Sequence, residues 1–294
     1  MTLRGKPDKK WISDSSDMVE NILDFALQFR NQSTTGMNDH SKDVASGTGS
    51  GPELIDAAEN RAQSVLEVTN LTLKYPGSVH YVFKNLTFQL SQPGFHALFG
   101  PSGVGKTSLA KIITADLGGY EGRIAGQGLD RFLYTYNLER LPGWSSVGNH
   151  LDKITPQSLR ERRKQLERTF GLEDLMNQRF SQLSLGQQNR VNLLRYLLQD
   201  FHLLVMDESL ANVDEMTRET IILKVKALYP QRHFLYISHN VVEVSKLCDK
   251  IVVLRGGERQ PACSVIEGRN CMPEQQLDRQ QLERTMLEIV NASS

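Results

Sequence analysis

The spacing of hydrophobic positions changes repeatedly along the chain from residue 65 onward. Residues 66–73 and 81–90 alternate apolar and polar side chains, which predicts an antiparallel hairpin with one buried face. Short apolar or aromatic runs predict buried strands at residues 95–99, 131–137, 202–206, 234–237 and 251–254. Segments compatible with helices follow most of these runs, at residues 108–115, 156–177, 185–198 and 277–290. This order predicts a layered α/β domain with a parallel core sheet.

The first 64 residues differ in composition from the rest, because they are rich in Ser, Asp, Asn and Gly. Residues 46–51 read Ser-Gly-Thr-Gly-Ser-Gly, which is typical of a flexible linker. We therefore expect residues 1–64 to form a disordered extension of the domain. Apolar residues at helical spacing between 19 and 29 leave two interpretations open: a nascent helix within that extension, or a short helix that docks on a partner or a membrane face.

The net charge, the cysteines and the lengths of the apolar runs limit the classes of protein to which the chain could belong. The chain has 34 Lys and Arg against 34 Asp and Glu, so its formal net charge is zero and no basic field favours a nucleic-acid partner. Its 3 cysteines lack metal-ligand spacing, which favours a reducing compartment. No apolar run approaches the ~18–20 residues of a membrane helix, and the amino terminus has no apolar core of a signal peptide. We therefore expect a cytoplasmic protein.

A glycine-rich turn between a predicted strand and a predicted helix carries the most specific motif. It matches G-x-x-x-x-G-K-[ST], in which backbone N–H groups surround a phosphate, the lysine contacts the outer phosphates and the hydroxyl binds Mg²⁺. The alternative is a glycine-rich turn before an ordinary helix. The candidate nucleotide-binding residues are Gly100, Pro101, Ser102, Gly103, Val104, Gly105, Lys106, Thr107 and Ser108.

Other candidates lie at the ends of predicted elements. Asp207 and Glu208 end an apolar strand, where the first carboxylate can hold Mg²⁺ and the second can activate water; an exposed turn is the alternative. His239 ends another strand, and a structural histidine is the simpler interpretation. Tyr75 stacks on a nucleotide base or packs within its turn. Ser184 begins a helix whose free N–H groups suit an anion, although a capped helix explains it equally.

Taken together and in this order, these residues resemble the nucleotide-binding subunit of ATP-binding cassette (ABC) transporters. The resemblance covers roughly residues 66–256, the greater part of the chain. Residues 100–107 are similar to the family's Walker A motif, and 203–208 to its Walker B motif with the catalytic glutamate. The other similar segments are the signature Leu183-Ser184-Leu185-Gly186-Gln187, the D-loop Ala211-Asn212-Val213-Asp214, the Q-loop Tyr136-Asn137 and the switch histidine His239.

The resemblance implies a P-loop NTPase cassette with an N-terminal antiparallel β-subdomain, a mixed or parallel core sheet and a small helical subdomain. It places the ATPase domain at 65–258, the helical subdomain at about 138–182, and a C-terminal tail with a short helix at 259–294. It also implies ATP and Mg²⁺. The resemblance implies catalytic roles for Glu208, His239 and Asn137, and metal binding by Thr107, Asp207 and Asn137. The residues that it implies for nucleotide contacts are the Walker A residues, Tyr75, Ser184, Gly186, Gln187 and Asp214.

In the family, two cassettes pair head to tail, and each ATP lies between the Walker A motif of one and the signature of the other. The resemblance therefore implies a second cassette, in a homodimer, and separate transmembrane permease subunits. If the transporter is an importer, the resemblance also allows a solute-binding protein as a partner. Residues 140–144 and 147–149 look most like importers of the nitrate, sulfonate and taurine type. The leading hypothesis is the ATPase subunit of a small-solute importer on the inner face of the cell membrane.

Four features depart from the family pattern. Leu185 replaces the middle glycine of the signature, Ser209 replaces a proline after the glutamate, and Asn137 is one methylene shorter than the usual glutamine. The stretch from 106 to 137 is also short. Weak or tightly coupled hydrolysis is therefore one expectation. Two other hypotheses stay open: a soluble cassette without a permease, and a degenerate cassette that binds ATP and acts mainly as a regulatory partner.

Overall fold

A computed structural model describes residues 65–137, 139–140, 143–273, 275 and 277–293; the predictions for residues 1–64 lie outside this range. An antiparallel sheet, sheet A, has the strand order β2–β1–β4, with bounds β1 Val65–Leu73, β2 Phe83–Leu90 and β4 Glu121–Gln127. Leu66 pairs with Leu90 and Val68 with Phe88, so the predicted hairpin is confirmed. These apolar side chains are buried, which is the one-sided burial that the alternating pattern indicates.

Sheet B has the order β5–β6–β7–β3–β8–β9, in which β9 runs antiparallel to β8 and the other pairings are parallel. Because parallel strands end at the same edge, the residues that follow β3, β5, β6 and β7 are brought together there. This arrangement confirms the predicted α/β fold with its mixed core sheet. The bounds are β3 Gly94–Phe99, β5 Phe132–Tyr136, β6 Leu203–Asp207, β7 His233–Ile237, β8 Lys250–Leu254 and β9 Cys263–Glu267.

The helices connect and cover the strands. A buried apolar cluster lies between sheet A, the helix Lys106–Ile113 (α1) and one face of sheet B; it includes Val68, Leu109 and Val205. None of the helices in the described ranges has the length and apolar character needed to cross a bilayer. The bounds are α1 Lys106–Ile113, α2 Val147–Ile154, α3 Arg160–Thr169, α4 Leu185–Leu197, α5 Glu215–Leu228, α6 Val241–Leu247 and α7 Arg279–Ser293.

The region between β5 and α4 is helical, but not as one segment. The helix predicted over 156–177 is wrong as a single element: it consists of α3 with the 3₁₀ turns Gln157–Leu159 and Glu173–Leu175 on either side. Gly171, at φ 59°, follows the end of α3 and stops it. Helix α2 precedes this segment and is an unpredicted element, capped by the Ser146 hydroxyl, which accepts from the Asn149 N–H.

Sheet B continues beyond residue 258, where the ATPase domain is expected to end. Strand β9 pairs with β8 along its length, from Leu254 opposite Cys263 to Lys250 opposite Glu267. Helix α7 packs against α6, β8 and β9. The Arg255 Nε donates to the Ala292 carbonyl oxygen (2.8 Å), which satisfies an acceptor at the carboxyl end of α7.

Candidate functional site

The phosphate loop connects β3 to α1 and has glycine where the backbone needs it. Gly100 has φ 149°, and a Cβ there would lie 2.7 Å from the Leu254 carbonyl oxygen. Gly105 has φ 103° and caps α1, and a Cβ there would overlap the side chain of Val82. A larger residue at either position would have to displace neighbouring atoms. The glycines therefore let the loop lie tightly against its neighbours.

The Lys106 side chain folds back over this loop. Its Nζ donates to the carbonyl oxygens of Gly100 (2.7 Å) and Pro101 (2.9 Å). Burial lowers the pKa of Lys106, and the carboxylates of Glu208 and Asp207 oppose that shift. The ammonium group is thus held close to the loop by weak, neutral acceptors, which an anion can replace.

Asp207, the last residue of β6, is buried beside the loop. Its Oδ2 accepts from the Thr107 hydroxyl (2.8 Å) and from the Tyr134 hydroxyl (2.9 Å). Burial raises the pKa of Tyr134 well above its ordinary value, and the charge of Asp207 adds to the effect. Thr107 and Asp207 were both predicted site residues, whereas Tyr134 was not. Tyr134 comes from the strand next to β6, and no sequence motif marks it.

The oxygen atoms around Asp207 suit a hard divalent cation that is also bound by phosphate. Thr107 has a hydroxyl and Asp207 a carboxylate at this place, and Asn137, whose side chain carries an amide oxygen, lines the same pocket. Mg²⁺ commonly takes one or two carboxylates together with substrate phosphates and water. No cluster of His, Cys, Asp and Glu among the described residues could hold a metal by itself. This donor set therefore fits Mg²⁺ bound with a nucleotide.

Glu208 and His239 lie next to each other at the same edge. The His239 Nδ1 is 3.4 Å from Glu208 Oε1, and both side chains are substantially exposed. Glu208 has φ 49°, a left-handed conformation that a non-glycine residue adopts rarely. Its N–H donates to the Ile237 carbonyl oxygen (3.2 Å), so this turn is attached to the end of β7, from which His239 also extends.

Asn137 follows β5 and is held by a residue that the sequence did not single out. Its N–H donates to the Asp207 carbonyl oxygen (3.1 Å), and its Oδ1 accepts from Asn189 Nδ2 (2.9 Å). Asn189 is buried in α4 and also donates to the Ala211 carbonyl oxygen (2.6 Å). Ser209 is buried nearby, and its hydroxyl donates to the Thr135 carbonyl oxygen (3.1 Å). Asn189 thus connects the turn after β5, helix α4 and the turn after β6.

The predicted signature residues form the start of α4. Ser184 Oγ accepts from the Gln187 N–H (3.3 Å), and Gln187 Oε1 accepts from the Ser184 N–H (2.8 Å), which is a complete capping box. Gly186 is buried, and a Cβ there would overlap the Asn212 carbonyl oxygen, so this position has no room for a side chain. Leu185 is half exposed. Asp214 caps α5 by accepting from the Thr217 N–H (2.9 Å), which lowers the pKa of its carboxyl group.

A pocket of about 1060 Å³ lies in front of the phosphate loop. Its lining includes Lys106, Thr107, Asn137, Asp207 and Glu208. Ser184, Gly186, Gln187 and Asp214 do not belong to that lining. Tyr75 is exposed beside the first turn of α1, where its hydroxyl shares a hydrogen bond of 2.9 Å with Ser108 Oγ. The pocket is large enough for a nucleotide.

Comparison with known proteins identifies this architecture. Residues 83–211 match the family model described as ABC transporter. The structure of a bacterial Atm1-family ABC exporter with ATP bound superposes with a TM-score of 0.59 at 19% identity, over 92% of this chain and 47% of that one. The fold is that of an ABC ATP-binding cassette.

Sequence relatives of the cassette include import proteins. The molybdenum import ATP-binding protein ModC of Brucella melitensis is 33% identical over 187 residues, which are 57% of this chain and 52% of that protein. A probable metal transport system ATP-binding protein of Thermotoga maritima is 29% identical over 65% of this chain and 81% of its own length. The spermidine/putrescine import ATP-binding protein PotA of Mycoplasma capricolum is 30% identical over 67% and 60%. The chain spans about half the length of the ModC proteins it matches.

Proposed function

We propose that this chain is the ATP-binding and ATP-hydrolysing subunit of an ABC importer for a small solute, acting through separate permease subunits. The observation that carries the proposal is the convergence of Lys106, Thr107, Asp207, Glu208 and His239 at one edge of sheet B, around or beside one pocket. The names of the relatives, which concern import of molybdenum and of spermidine or putrescine and transport of a metal, support the import direction.

The phosphate loop and the first turn of α1 bind the phosphates of ATP. Backbone N–H groups at this helix start are free of helical partners and attract anions. Lys106 exchanges the carbonyl oxygens of Gly100 and Pro101 for phosphate oxygens, a charge-assisted contact that is stronger than the present one. Tyr75 stacks on the adenine, because its ring is exposed and its hydroxyl is fixed to Ser108 at the mouth of the loop.

Thr107, Asp207 and Asn137 would hold Mg²⁺ together with the outer phosphates. When bound, the ion neutralises charge on the phosphate oxygens and orients them. Asp207 is prepared for this role because Tyr134 holds the same carboxylate oxygen that accepts from Thr107. The Tyr134 bond leaves the carboxylate oriented when the Thr107 hydroxyl changes partner.

Glu208 accepts the proton of the attacking water. The water oxygen bonds to the γ-phosphorus, the bond from that phosphorus to the β,γ-bridging oxygen breaks, and ADP and phosphate are released. Glu208 suits this role because it is exposed to the pocket and lies 3.4 Å from the His239 imidazole. His239 orients Glu208 and contacts the γ-phosphate, where negative charge spreads in the transition state.

A second copy of the cassette completes the site. Ser184, Gly186 and Gln187 lie at the start of α4 and are not part of the pocket lining in their own chain. The N–H groups of this first turn that the capping box does not pair favour an anion. In a head-to-tail homodimer these residues contact the ATP held by the other copy. Asp214, the last residue of the D-loop, caps α5 and lies at the same interface.

The remaining parts of the proposal are the location of the chain, the region that contacts the permease and the class of solute. The cassette is cytoplasmic and peripheral on the inner face of the membrane, and the helical region at about 138–182 contacts the permease. Trp144, which is 83% exposed there, is the side chain best suited to such a contact. The resemblance of residues 140–144 and 147–149 supports a nitrate, sulfonate or taurine type of solute delivered by a solute-binding protein.

Glu208→Gln tests the hydrolytic assignment. The wild-type chain should hydrolyse MgATP, whereas Glu208→Gln should bind ATP, turn over at least ~100-fold more slowly and accumulate as an ATP-dependent dimer in size-exclusion chromatography. Glu283→Gln is the matched control, because Glu283 is an exposed residue of α7. Full activity of Glu208→Gln would exclude Glu208 as the base. Failure to form the dimer with ATP would contradict the two-copy site.

Purification from detergent-solubilised membranes tests the transport assignment. A tagged chain should retain integral membrane subunits under mild detergent. Trp144→Ala should reduce the recovery of these subunits. Val79→Ala should not reduce it, although Val79, in the turn between β1 and β2, is a similarly exposed apolar residue. Recovery of soluble partners alone would contradict an importer and favour a soluble cassette.

A further inference from the structure

Glu243 is a buried carboxylate that belongs to none of the motifs above. It lies in the first turn of α6, four residues after His239, and is 8% exposed. Its Oε2 accepts from the Ser238 hydroxyl (2.9 Å) and from the Tyr236 hydroxyl (2.9 Å). A buried charge is tolerated only when donors or an opposite charge compensate its lost hydration. The groups around Glu243 are therefore held in place by the need to satisfy it.

On one side, Glu243 controls the segment that carries His239. Ser238 immediately precedes His239, and its hydroxyl both donates to Glu243 and accepts from the Asn240 N–H (3.1 Å). Asn240 in turn caps α6 by accepting from the Glu243 N–H (3.1 Å). The residues before and after His239 are thus attached to the carboxylate and backbone of one buried residue.

On the other side, Glu243 reaches the D-loop through Arg218. Arg218 Nη1 lies 3.5 Å from Glu243 Oε1, and Nη2 donates to the Val213 carbonyl oxygen (2.7 Å). Val213 directly precedes Asp214 at the start of α5. Because a guanidinium group is planar and rigid, its orientation toward Glu243 also fixes the position of that carbonyl group.

We propose that Glu243 and Arg218 form a positioning unit that couples the His239 segment to the D-loop, so that both take up their reactive arrangement together. The proposal rests on the proposed ATP hydrolysis. Neither residue lines the pocket, so both act through Ser238 and Val213. A change in the D-loop, such as contact with a second cassette, is transmitted to His239 through the chain Val213, Arg218, Glu243 and Ser238.

Ser238 and Tyr236 offer a matched pair of variants. Both hydroxyl groups donate to the same oxygen of Glu243 at the same distance, 2.9 Å. Tyr236 lies within β7, where its ring packs against Phe95 with centroids 5.5 Å apart, so Tyr236→Phe keeps the ring and removes one donor. Ser238→Ala removes the corresponding donor from the segment that carries His239. A purely structural network would respond to both changes in the same way.

The experiment measures ATP hydrolysis, nucleotide affinity and urea unfolding for the full chain. We expect Ser238→Ala to lower kcat about tenfold, with KM and the Kd of a fluorescent ATP analogue within about twofold of wild type. Tyr236→Phe should keep kcat within about twofold, and Ser238→Thr should recover most of the lost rate. Arg218→Met should resemble Ser238→Ala. Equal kcat for Ser238→Ala and Tyr236→Phe, whether both fall or neither does, would overturn the proposal.

The controls separate this proposal from the proposed function. If the wild type hydrolyses ATP and Glu208→Gln does not, the hydrolytic assignment stands independently of the Ser238 result. A wild-type chain that bound ATP without hydrolysing it would contradict both. Urea midpoints close to wild type for Ser238→Ala would show that the rate loss does not come from unfolding.

Discussion

Replacing Gly186 by alanine tests how closely the start of α4 approaches the D-loop. Gly186 lies in the first turn of α4, and a Cβ there would overlap the carbonyl oxygen of Asn212, inside the 3.0 Å that real Cβ atoms keep. The same Cβ would lie 3.2 Å from the Asn212 carbonyl carbon. Both atoms are backbone, so no side-chain rotation can relieve the overlap.

Two effects of opposite sign determine the change in the free energy of unfolding. Alanine stabilises a helix interior relative to glycine by about 1 kcal/mol. Overpacking that forces the backbone to shift costs about 1–3 kcal/mol. The overlap with Asn212 is closer than any contact a normal Cβ makes, so we take the upper part of that range. Gly186→Ala should therefore destabilise the fold by about 1–2 kcal/mol.

Urea denaturation followed by circular dichroism measures this difference, with Gly118→Ala as the matched control. Gly118 lies between α1 and β4, and a Cβ there has nothing within 4 Å. Its alanine variant should stay within about 0.5 kcal/mol of wild type. If Gly186→Ala were as stable as wild type, the close approach of α4 to the D-loop would be refuted.

Two further predictions concern residues that hold the site in shape. Asn189→Ala should lower the free energy of unfolding by about 1–3 kcal/mol, because the Ala211 carbonyl oxygen and the Asn137 side-chain oxygen lose a buried donor. A double-mutant cycle with Asn137→Ala measures the coupling energy between the two side chains. A coupling energy of zero would contradict the hydrogen bond between Asn189 and Asn137. Tyr134→Phe should raise the Mg²⁺ concentration needed for ATP hydrolysis and weaken nucleotide-dependent Mn²⁺ binding in electron paramagnetic resonance, since of the two hydroxyl donors to Asp207 in the described part of the chain Thr107 alone would remain. ATP binding without metal should not change. An unaltered metal requirement would show that Tyr134 does not orient Asp207.

The candidate site was predictable where chemistry follows a regular pattern in the chain. Thr107, Asp207 and His239 each come shortly after an apolar run, and the runs become the adjacent parallel strands β3, β6 and β7. Parallel strands end at one edge, so residues far apart in sequence are expected to meet there. The structure brings Thr107 within 2.8 Å of Asp207 and His239 within 3.4 Å of Glu208.

The supporting residues were not predictable, because their partners come from other elements. Tyr134 is 73 residues from Asp207, and Asn189 is 52 residues from Asn137. No local period or motif marks a tyrosine in a strand or an asparagine in a helix as a donor to such partners. Helix α2 was not predicted because it contains Gly148, and glycine is a poor helix former. The glycine is required by a residue distant in the sequence, since a Cβ there would lie 2.9 Å from the Met176 carbonyl oxygen.

The signature region shows how a resemblance and a structure explain the same residue differently. The resemblance assigns Gly186 to a phosphate on a second copy, whereas the fold requires glycine there to admit the Asn212 carbonyl group of its own chain. Leu185, which replaces the neighbouring glycine of the family pattern, has no such constraint, because its side chain is 49% exposed in the single chain. Leu185 therefore affects the function of the cassette only when the surface of another molecule covers its side chain. A change of Leu185 to glycine should accordingly act on ATP-dependent pairing and turnover rather than on the unfolding of the isolated cassette.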